Sequence, residues 1–122
     1  MFSLENKIAI VTGASQGIGK TTAELFSRSG AHVVCIARNK EKIKDLANTI
    51  SKNGYSASYN SCDISDGDLF QETIKSILNA YGKIDILVNN AGITRDSLVL
   101  RMKIDQWDDV INTNLKGAFY AT

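Results

Sequence analysis

Short runs of apolar residues alternate along this chain with longer segments in which apolar residues recur every three or four positions. A short uninterrupted apolar run is typical of a strand buried on both faces of a sheet. Such runs at residues 8–11 and 33–37 predict the first and second strands, and residues 84–88, apolar except for Asp85, predict the fourth. A third strand is predicted over residues 56–62, where the pattern is polar and alternating, which favours a place nearer an edge of the sheet.

Helical periodicity follows each of these strands. The predicted apolar stripes are, in chain order, Ile18, Thr22, Leu25 and Phe26; Ile43, Leu46, Ala47 and Ile50; Leu69, Thr73, Ile77 and Tyr81; and, at the start of a last helix, Ile104, Trp107, Asp108 and Ile111. Gly30 and the turn Asn53-Gly54 are predicted to end the first two helices. Ser65, with Asp68 three residues later, resembles a capping box and is predicted to begin the third helix.

The order β-α-β-α-β-α-β-α implies parallel strands joined by right-handed crossovers. We therefore predict an α/β fold, a Rossmann-like doubly wound parallel sheet in three α/β/α layers. A ligand is expected at the carboxyl ends of its strands. In this interpretation residues 1–122 belong to one domain, which is truncated in the helix after the fourth strand.

Composition narrows the possible partners. The 122 residues include 14 Lys and Arg against 13 Asp and Glu, for a net charge of +1. This balance provides no strong field, so neither nucleic acid nor a membrane is expected as a partner. Cys35 and Cys62 lack the spacing of metal ligands, and we predict two small buried side chains and no metal site. No secretory pattern is visible, so a cytoplasmic location is expected, or an organellar one in a eukaryote.

The segment 12–19, Thr-Gly-Ala-Ser-Gln-Gly-Ile-Gly, joins the first strand to the first helix. Glycines allow a tight turn and a close approach to a ligand, and the helix N-terminus offers N–H groups to a pyrophosphate. A Walker loop does not fit, because Ala14 stands where its first glycine is needed. The pattern G-x-G-x-x-G also fails, because Thr22 takes the last glycine position.

The chain resembles the short-chain dehydrogenase/reductases. Four motifs carry the resemblance: the Thr-Gly-x-x-x-Gly-Ile-Gly loop, Asp63 within Cys62-Asp63-Ile64, the segment GKIDILVNNAG over residues 82–92, and Asn114-Leu115-Lys116-Gly117. They stand in the family's order and spacing and cover nearly the whole chain.

The resemblance implies a role for most of these residues. Asp63 would contact the adenine ring, and Asn114 would be the catalytic Asn whose backbone helps to hold a water in a proton relay. Arg38 is added to the predicted cofactor contacts from its place at the end of the second strand. The full set is Gly13, Ser15, Gln16, Gly17, Ile18, Gly19, Arg38, Asp63, Ile64, Asn90, Ala91 and Gly92. Asp85 and Asn89 are interpreted as structural side chains that tie strand ends together, and His32 as a surface residue.

The choice of cofactor depends on the end of the second strand. Readers of NAD place an acidic residue there, which accepts a hydrogen bond from the ribose 2′-OH. This chain has Ala37-Arg38-Asn39 instead, and Arg38 can bind a 2′-phosphate through several donors. We therefore predict NADP(H).

Residues 93–117 resemble one group within the family, the 3-oxoacyl-[acyl-carrier-protein] reductases. The similarity lies in Thr94-Arg95-Asp96, a Leu-rich turn and Arg101-Met102-Lys103. It implies NADPH-dependent reduction of a β-keto group in fatty-acid synthesis, with acyl carrier protein as partner and a homotetramer as the assembly. Arg101 and Lys103 are interpreted as solvated charges rather than carrier contacts.

The family's catalytic Ser and its Tyr-x-x-x-Lys motif are not found, because none of the four tyrosines is followed by Lys at that spacing. We therefore expect an N-terminal part of a longer reductase, without hydride transfer on its own. Two alternatives stay open: another NADP-linked short-chain reductase, and a non-catalytic dinucleotide-binding module.

Overall fold

The computed structural model describes residues 3–89 and 98–102. The elements are, in chain order, β1 (Ile8–Thr12), α1 (Gly17–Arg28), β2 (His32–Ala37), α2 (Lys40–Lys52), β3 (Ser56–Ser61), α3 (Gly67–Tyr81), β4 (Ile84–Asn89) and β5 (Leu98–Met102). The four predicted strands and the first three helices are confirmed. The last helix, predicted to begin at Ile104, lies outside the described residues.

The sheet has the strand order β3-β2-β1-β4-β5. β1 pairs in parallel with both β2 and β4, and β2 pairs in parallel with β3. The chain therefore winds first to one side of β1 and then to the other, as the doubly wound prediction requires. β3 lies at one edge, which its polar alternation had indicated.

β5 is an addition that the sequence analysis did not predict. Leu98–Met102 pairs antiparallel with β4, whereas we had interpreted this segment as a Leu-rich turn before a last helix. The segment reads Leu-Val-Leu-Arg-Met, which is a short and mostly apolar run. Such a run is consistent with a strand, and the sequence analysis assigned it to a turn.

Two separate apolar clusters hold the sheet between its helices. α3 covers one face, where Phe70 and Ile74 pack in the cluster that includes Ile10 of β1. α1 and α2 cover the other face, where Ile43 packs in the cluster that includes Val11. Successive residues of a strand point to opposite faces, so β1 supplies both clusters. This is the three-layer arrangement predicted, and both cysteines are buried in it, as expected.

The predicted stripe is correct for α2, whose buried residues are Ile43, Leu46, Ala47 and Ile50. It is wrong in part for α1, which buries Gly19, Ala23 and Ser27 and leaves Ile18 69% and Leu25 53% exposed, although Phe26 of the predicted stripe packs against the core. Small side chains let a helix approach a sheet closely, whereas periodicity gives more weight to large apolar residues. Gly30, with φ +107°, and Gly54, with φ +92°, follow α1 and α2 as predicted.

The predicted face and cap of α3 are also wrong in part. Its buried residues are Gly67, Phe70, Ile74, Ile77 and Leu78, so that only Ile77 of the predicted stripe is buried. Leu69 and Tyr81 remain 42% and 38% exposed. The N-cap is Asp66, whose side chain accepts a hydrogen bond from the Leu69 N–H. Ser65 does not cap the helix, because its hydroxyl donates to Asp63 Oδ1 at 2.6 Å.

Candidate cofactor site

The loop between β1 and α1 turns on two glycines in the left-handed region. Gly13 has φ +63° and Gly17 has φ +61°, conformations that residues with a Cβ rarely adopt. The Ala14 N–H donates to the Ile36 carbonyl at 3.3 Å, which ties the loop to β2. A Cβ placed on Gly17 would meet no heavy atom within 4 Å, so open space lies beside the start of α1.

The N-terminus of α1 differs from those of the other two helices. Its N-cap residue, Gln16, makes no side-chain cap bond, and its first turn contains no acidic residue. Asn39 and Asp66 cap α2 and α3 through side-chain oxygens, and each of these helices has an acidic first turn. The N–H groups and positive dipole end of α1 are therefore available to an external anion. This loop fits the pyrophosphate of a dinucleotide.

The neighbouring strand ends bring two predicted contacts to the same edge of the sheet. Arg38 follows β2 and Asp63 follows β3, and both are exposed. The Ser61 hydroxyl donates to the Arg38 carbonyl at 3.1 Å, which links the two segments. Hydrogen bonds from the Ser65 hydroxyl and backbone lower the pKa of Asp63, and the charge of Arg38 lowers it further. The Asp63 carboxylate is therefore ionised and near a cation at this edge.

The structure places the other predicted contacts in different environments. Ile18 is exposed beside the loop, which suits contact with a ligand although it contradicts the predicted core stripe. The Ile64 side chain is instead buried in the cluster with Phe70, so its backbone is the part that can face a ligand. Asn90, Ala91, Gly92 and Asn114 lie outside the described residues.

The structural interpretation of Asn89 and Asp85 is supported by their partners. Thr12 Oγ1 donates to Asn89 Oδ1 at 2.9 Å, which joins the carboxyl ends of β1 and β4 beside the site. At the opposite ends of these strands, Asp85 Oδ2 accepts from the Ile8 N–H at 2.8 Å and pairs with Lys83 at 3.0 Å. Burial raises the pKa of Asp85, but these contacts outweigh burial and leave the pKa lowered.

His32 takes part in a cluster that the sequence analysis missed. Its ring is half-buried at the amino end of β2, where Nε2 lies 2.9 Å from the Tyr81 hydroxyl and 3.1 Å from the Ser58 hydroxyl. Burial lowers the pKa of His32. The cluster links β2, β3 and α3 at the end of the sheet opposite the glycine loop, away from the candidate site.

A cleft of about 510 Å³ opens between α1 and α2, to one side of the carboxyl ends of the strands. One end of the cleft is formed by the loop residues Ser15, Gln16 and Gly17, and Lys20 and Lys42 stand on its walls. The sequence analysis assigned neither lysine to the cofactor. The spacing of Lys20 four residues after Gln16 was the available signal, because it places both on one helix face.

Within residues 3–89 and 98–102, no group of three or more His, Cys, Asp or Glu side chains could hold a metal ion. In the same ranges, no helix has the length and apolar character needed to cross a lipid bilayer.

An open doubly wound sheet with a glycine turn and a bare helix N-terminus at its carboxyl edge defines a dinucleotide-binding fold. The family model described as "short chain dehydrogenase" matches residues 7–122, and the chain belongs to this family.

Curated relatives and solved structures agree with this assignment. The chain is 43% identical to the 3-oxoacyl-[acyl-carrier-protein] reductase FabG of Thermotoga maritima, over 98% of this chain and 48% of the relative. It is 47% identical to the protein of the same name from Vibrio harveyi, over 93% of this chain and 45% of the relative. The chain thus spans about half the length of the curated relatives it matches.

Among solved structures, a metagenomic short-chain oxidoreductase in complex with NADP is 40% identical, with a TM-score of 0.71, over 74% of this chain and 41% of that one. The 2-keto-3-deoxy-D-gluconate dehydrogenase of Streptococcus agalactiae is 39% identical, with a TM-score of 0.70, over 97% of this chain and 44% of that one.

Proposed function

We propose that the whole protein reduces the β-keto group of 3-oxoacyl-[acyl-carrier-protein] to the 3-hydroxy group, with NADPH, in fatty-acid synthesis. This chain provides the half that binds the cofactor. The proposal is supported by relatives named as such reductases, which are 43% and 47% identical over 98% and 93% of the chain.

The observation that carries the cofactor assignment is the uncapped N-terminus of α1 behind two left-handed glycines. NADPH, when bound, supplies the hydride for the reduction. The N–H groups of α1 bind the pyrophosphate, and Arg38 binds the 2′-phosphate of the adenosine ribose. Asp63 accepts a hydrogen bond from the adenine amino group, and Asn114 holds a water of the proton relay through its backbone.

The partners and location belong to the same proposal. The substrate is presented by acyl carrier protein, the whole protein assembles as a homotetramer, and it works in the cytoplasm. The carrier protein and the homotetramer are expected from the resemblance of residues 93–117 to the reductases of acyl carrier protein.

A second candidate is an NADP-linked short-chain reductase of another substrate class. Solved structures with other substrates in their names, such as the hydroxysteroid dehydrogenase of Escherichia coli, are nearly as similar, at 38% identity. A third candidate is a non-catalytic dinucleotide-binding module, for which cofactor binding without turnover would be the evidence.

Two preparations test the proposal: the purified 122-residue chain, and the product of the gene that encodes it. We expect the chain to bind NADPH, seen as a change in nicotinamide fluorescence, and not to oxidise it with acetoacetyl-[acyl-carrier-protein]. We expect the gene product to oxidise NADPH with that substrate and to be much slower with steroids, sugars and simple ketones.

Each contrary result identifies what is wrong. Turnover by the 122-residue chain would contradict the need for the Tyr and Lys. A gene product that prefers a sugar or a steroid favours the second candidate, and one that binds NADPH without any turnover favours the third. If NADPH does not bind, the cofactor assignment is wrong.

A further inference from the structure

The cleft between α1 and α2 opens from the glycine loop. Both helices begin at the carboxyl edge of the parallel sheet and run in the same direction away from it. Ser15, Gln16 and Gly17 form the end of the cleft at that edge. Glu24 and Thr49, which also line the cleft, lie seven residues beyond Gly17 and Lys42, or about 10 Å further along the helix axes.

The charges on the walls of the cleft differ along its length. Lys20 and Lys42, on opposite helices, lie nearer the loop, whereas Asp45 and Glu24 each follow the lysine of their own helix. Among residues 3–89, neither lysine forms an ion pair; the pair found there joins Lys83 and Asp85. An anion therefore meets two free ammonium groups near the loop, and carboxylates would repel it from deeper positions.

The start of α2 fixes the position of Lys42. The Lys42 N–H donates to Asn39 Oδ1 at 3.1 Å, which holds the first turn of the helix in place. On the chain, Arg38 directly precedes the cap residue Asn39, and Lys42 follows it by three residues. Lys44 lies two residues further on, about 200° around the helix, and does not line the cleft.

We propose that Lys20 and Lys42 determine cofactor specificity, because their ammonium groups hold the 2′-phosphate of NADP(H) at the loop end of this cleft, in addition to Arg38. The inference rests on the proposed dinucleotide-binding function and extends it. A dinucleotide with a free 2′-OH has no phosphate at this position, since its pyrophosphate lies on the N–H groups of α1.

The test compares Lys20→Gln and Lys42→Gln with Lys44→Gln, which removes the same charge from the same surface outside the cleft. The Kd values of the full chain for NADP⁺, NAD⁺ and 2′,5′-ADP are measured by calorimetry. We expect each cleft variant to weaken binding of NADP⁺ and 2′,5′-ADP about five- to tenfold, the size of one exposed charge-assisted contact. NAD⁺ binding and the Lys44→Gln variant should match the wild type.

The outcomes separate this inference from the function on which it rests. Equal weakening of NADP⁺ and NAD⁺ would overturn the 2′-phosphate assignment, as would a Lys44→Gln variant that behaves like the cleft variants. If the wild type binds NADP⁺ and the cleft variants leave its Kd unchanged, the inference is wrong and the proposed function stands. If the wild type binds neither dinucleotide, both are wrong.

Discussion

Replacing Gly17 by Ala separates the cost of the loop's backbone conformation from its role in binding. Gly17 has φ +61°, and an added Cβ would contact no heavy atom within 4 Å. The free energy of unfolding should therefore fall only by the strain of a left-handed residue, about 1–2 kcal/mol. Gly54 offers a matched control, because its φ is +92° and its Cβ would also contact nothing within 4 Å.

The two variants should differ in cofactor binding. The methyl group of Gly17→Ala enters the open space beside the first turn of α1, where we propose the pyrophosphate. We expect the Kd for NADPH to rise at least about tenfold, which corresponds to about 1.4 kcal/mol. Gly54 lies beyond the far end of α2, so Gly54→Ala should bind NADPH like the wild type.

Urea unfolding gives the stability of both variants, and nicotinamide fluorescence titration gives their affinities. The expected result is a similar loss of stability in the two variants with a loss of affinity only in Gly17→Ala. If Gly17→Ala binds NADPH as tightly as Gly54→Ala does, the pyrophosphate does not lie at this helix start, and the reasoning from the uncapped N-terminus fails.

Two further predictions concern stability and reactivity. Asp85→Ala removes the acceptor of the Ile8 N–H and the partner of Lys83. The free energy of unfolding, measured with urea at pH 7, should fall by about 1–3 kcal/mol. Asp85→Asn keeps an acceptor oxygen, so its loss should be smaller. Because the pKa of Asp85 is lowered from 3.8 in the folded chain, its contribution is complete above that value and disappears as the pH falls through the folded pKa; a loss that is the same at pH 7 and pH 2 would contradict this. Burial raises the pKa of Cys35 to about 12, and Cys62 is only 3% exposed, so neither thiol should react with a disulfide reagent at pH 8 until urea unfolds the chain. Rapid labelling of one thiol in the native chain would refute that burial.

The sequence was sufficient where large apolar residues face the core. α2 buries Ile43, Leu46, Ala47 and Ile50 as its periodicity predicted, and its neighbour β2 follows an uninterrupted apolar run. It was insufficient for α1, where close packing on the sheet selects Gly19, Ala23 and Ser27 for the buried face. Periodicity identified the large residues of α1, of which Phe26 packs against the core whereas Ile18 and Leu25 are exposed.

The candidate site was predictable as far as it depends on local backbone geometry. The glycine loop follows from the residues that can adopt a left-handed turn, and Arg38 from its place after a strand. The cleft with Lys20 and Lys42 could not be predicted in the same way, because it depends on how two helices lie against each other. The hydrogen-bond partners of His32 come from β3 and α3, which lie far from it along the chain.

The central position of β1 has a consequence for how the chain folds. β1 is among the first segments to be synthesised, and it pairs with β2 soon afterwards, but its other neighbour is β4. The contact between Ile8 and Asp85 spans 77 residues. At about 5–20 residues per second, translation of that interval takes roughly 4–15 s. During this time one side of an almost wholly apolar strand has no partner, so synthesis of β4 is the event that gives β1 its second neighbour and covers an aggregation-prone edge.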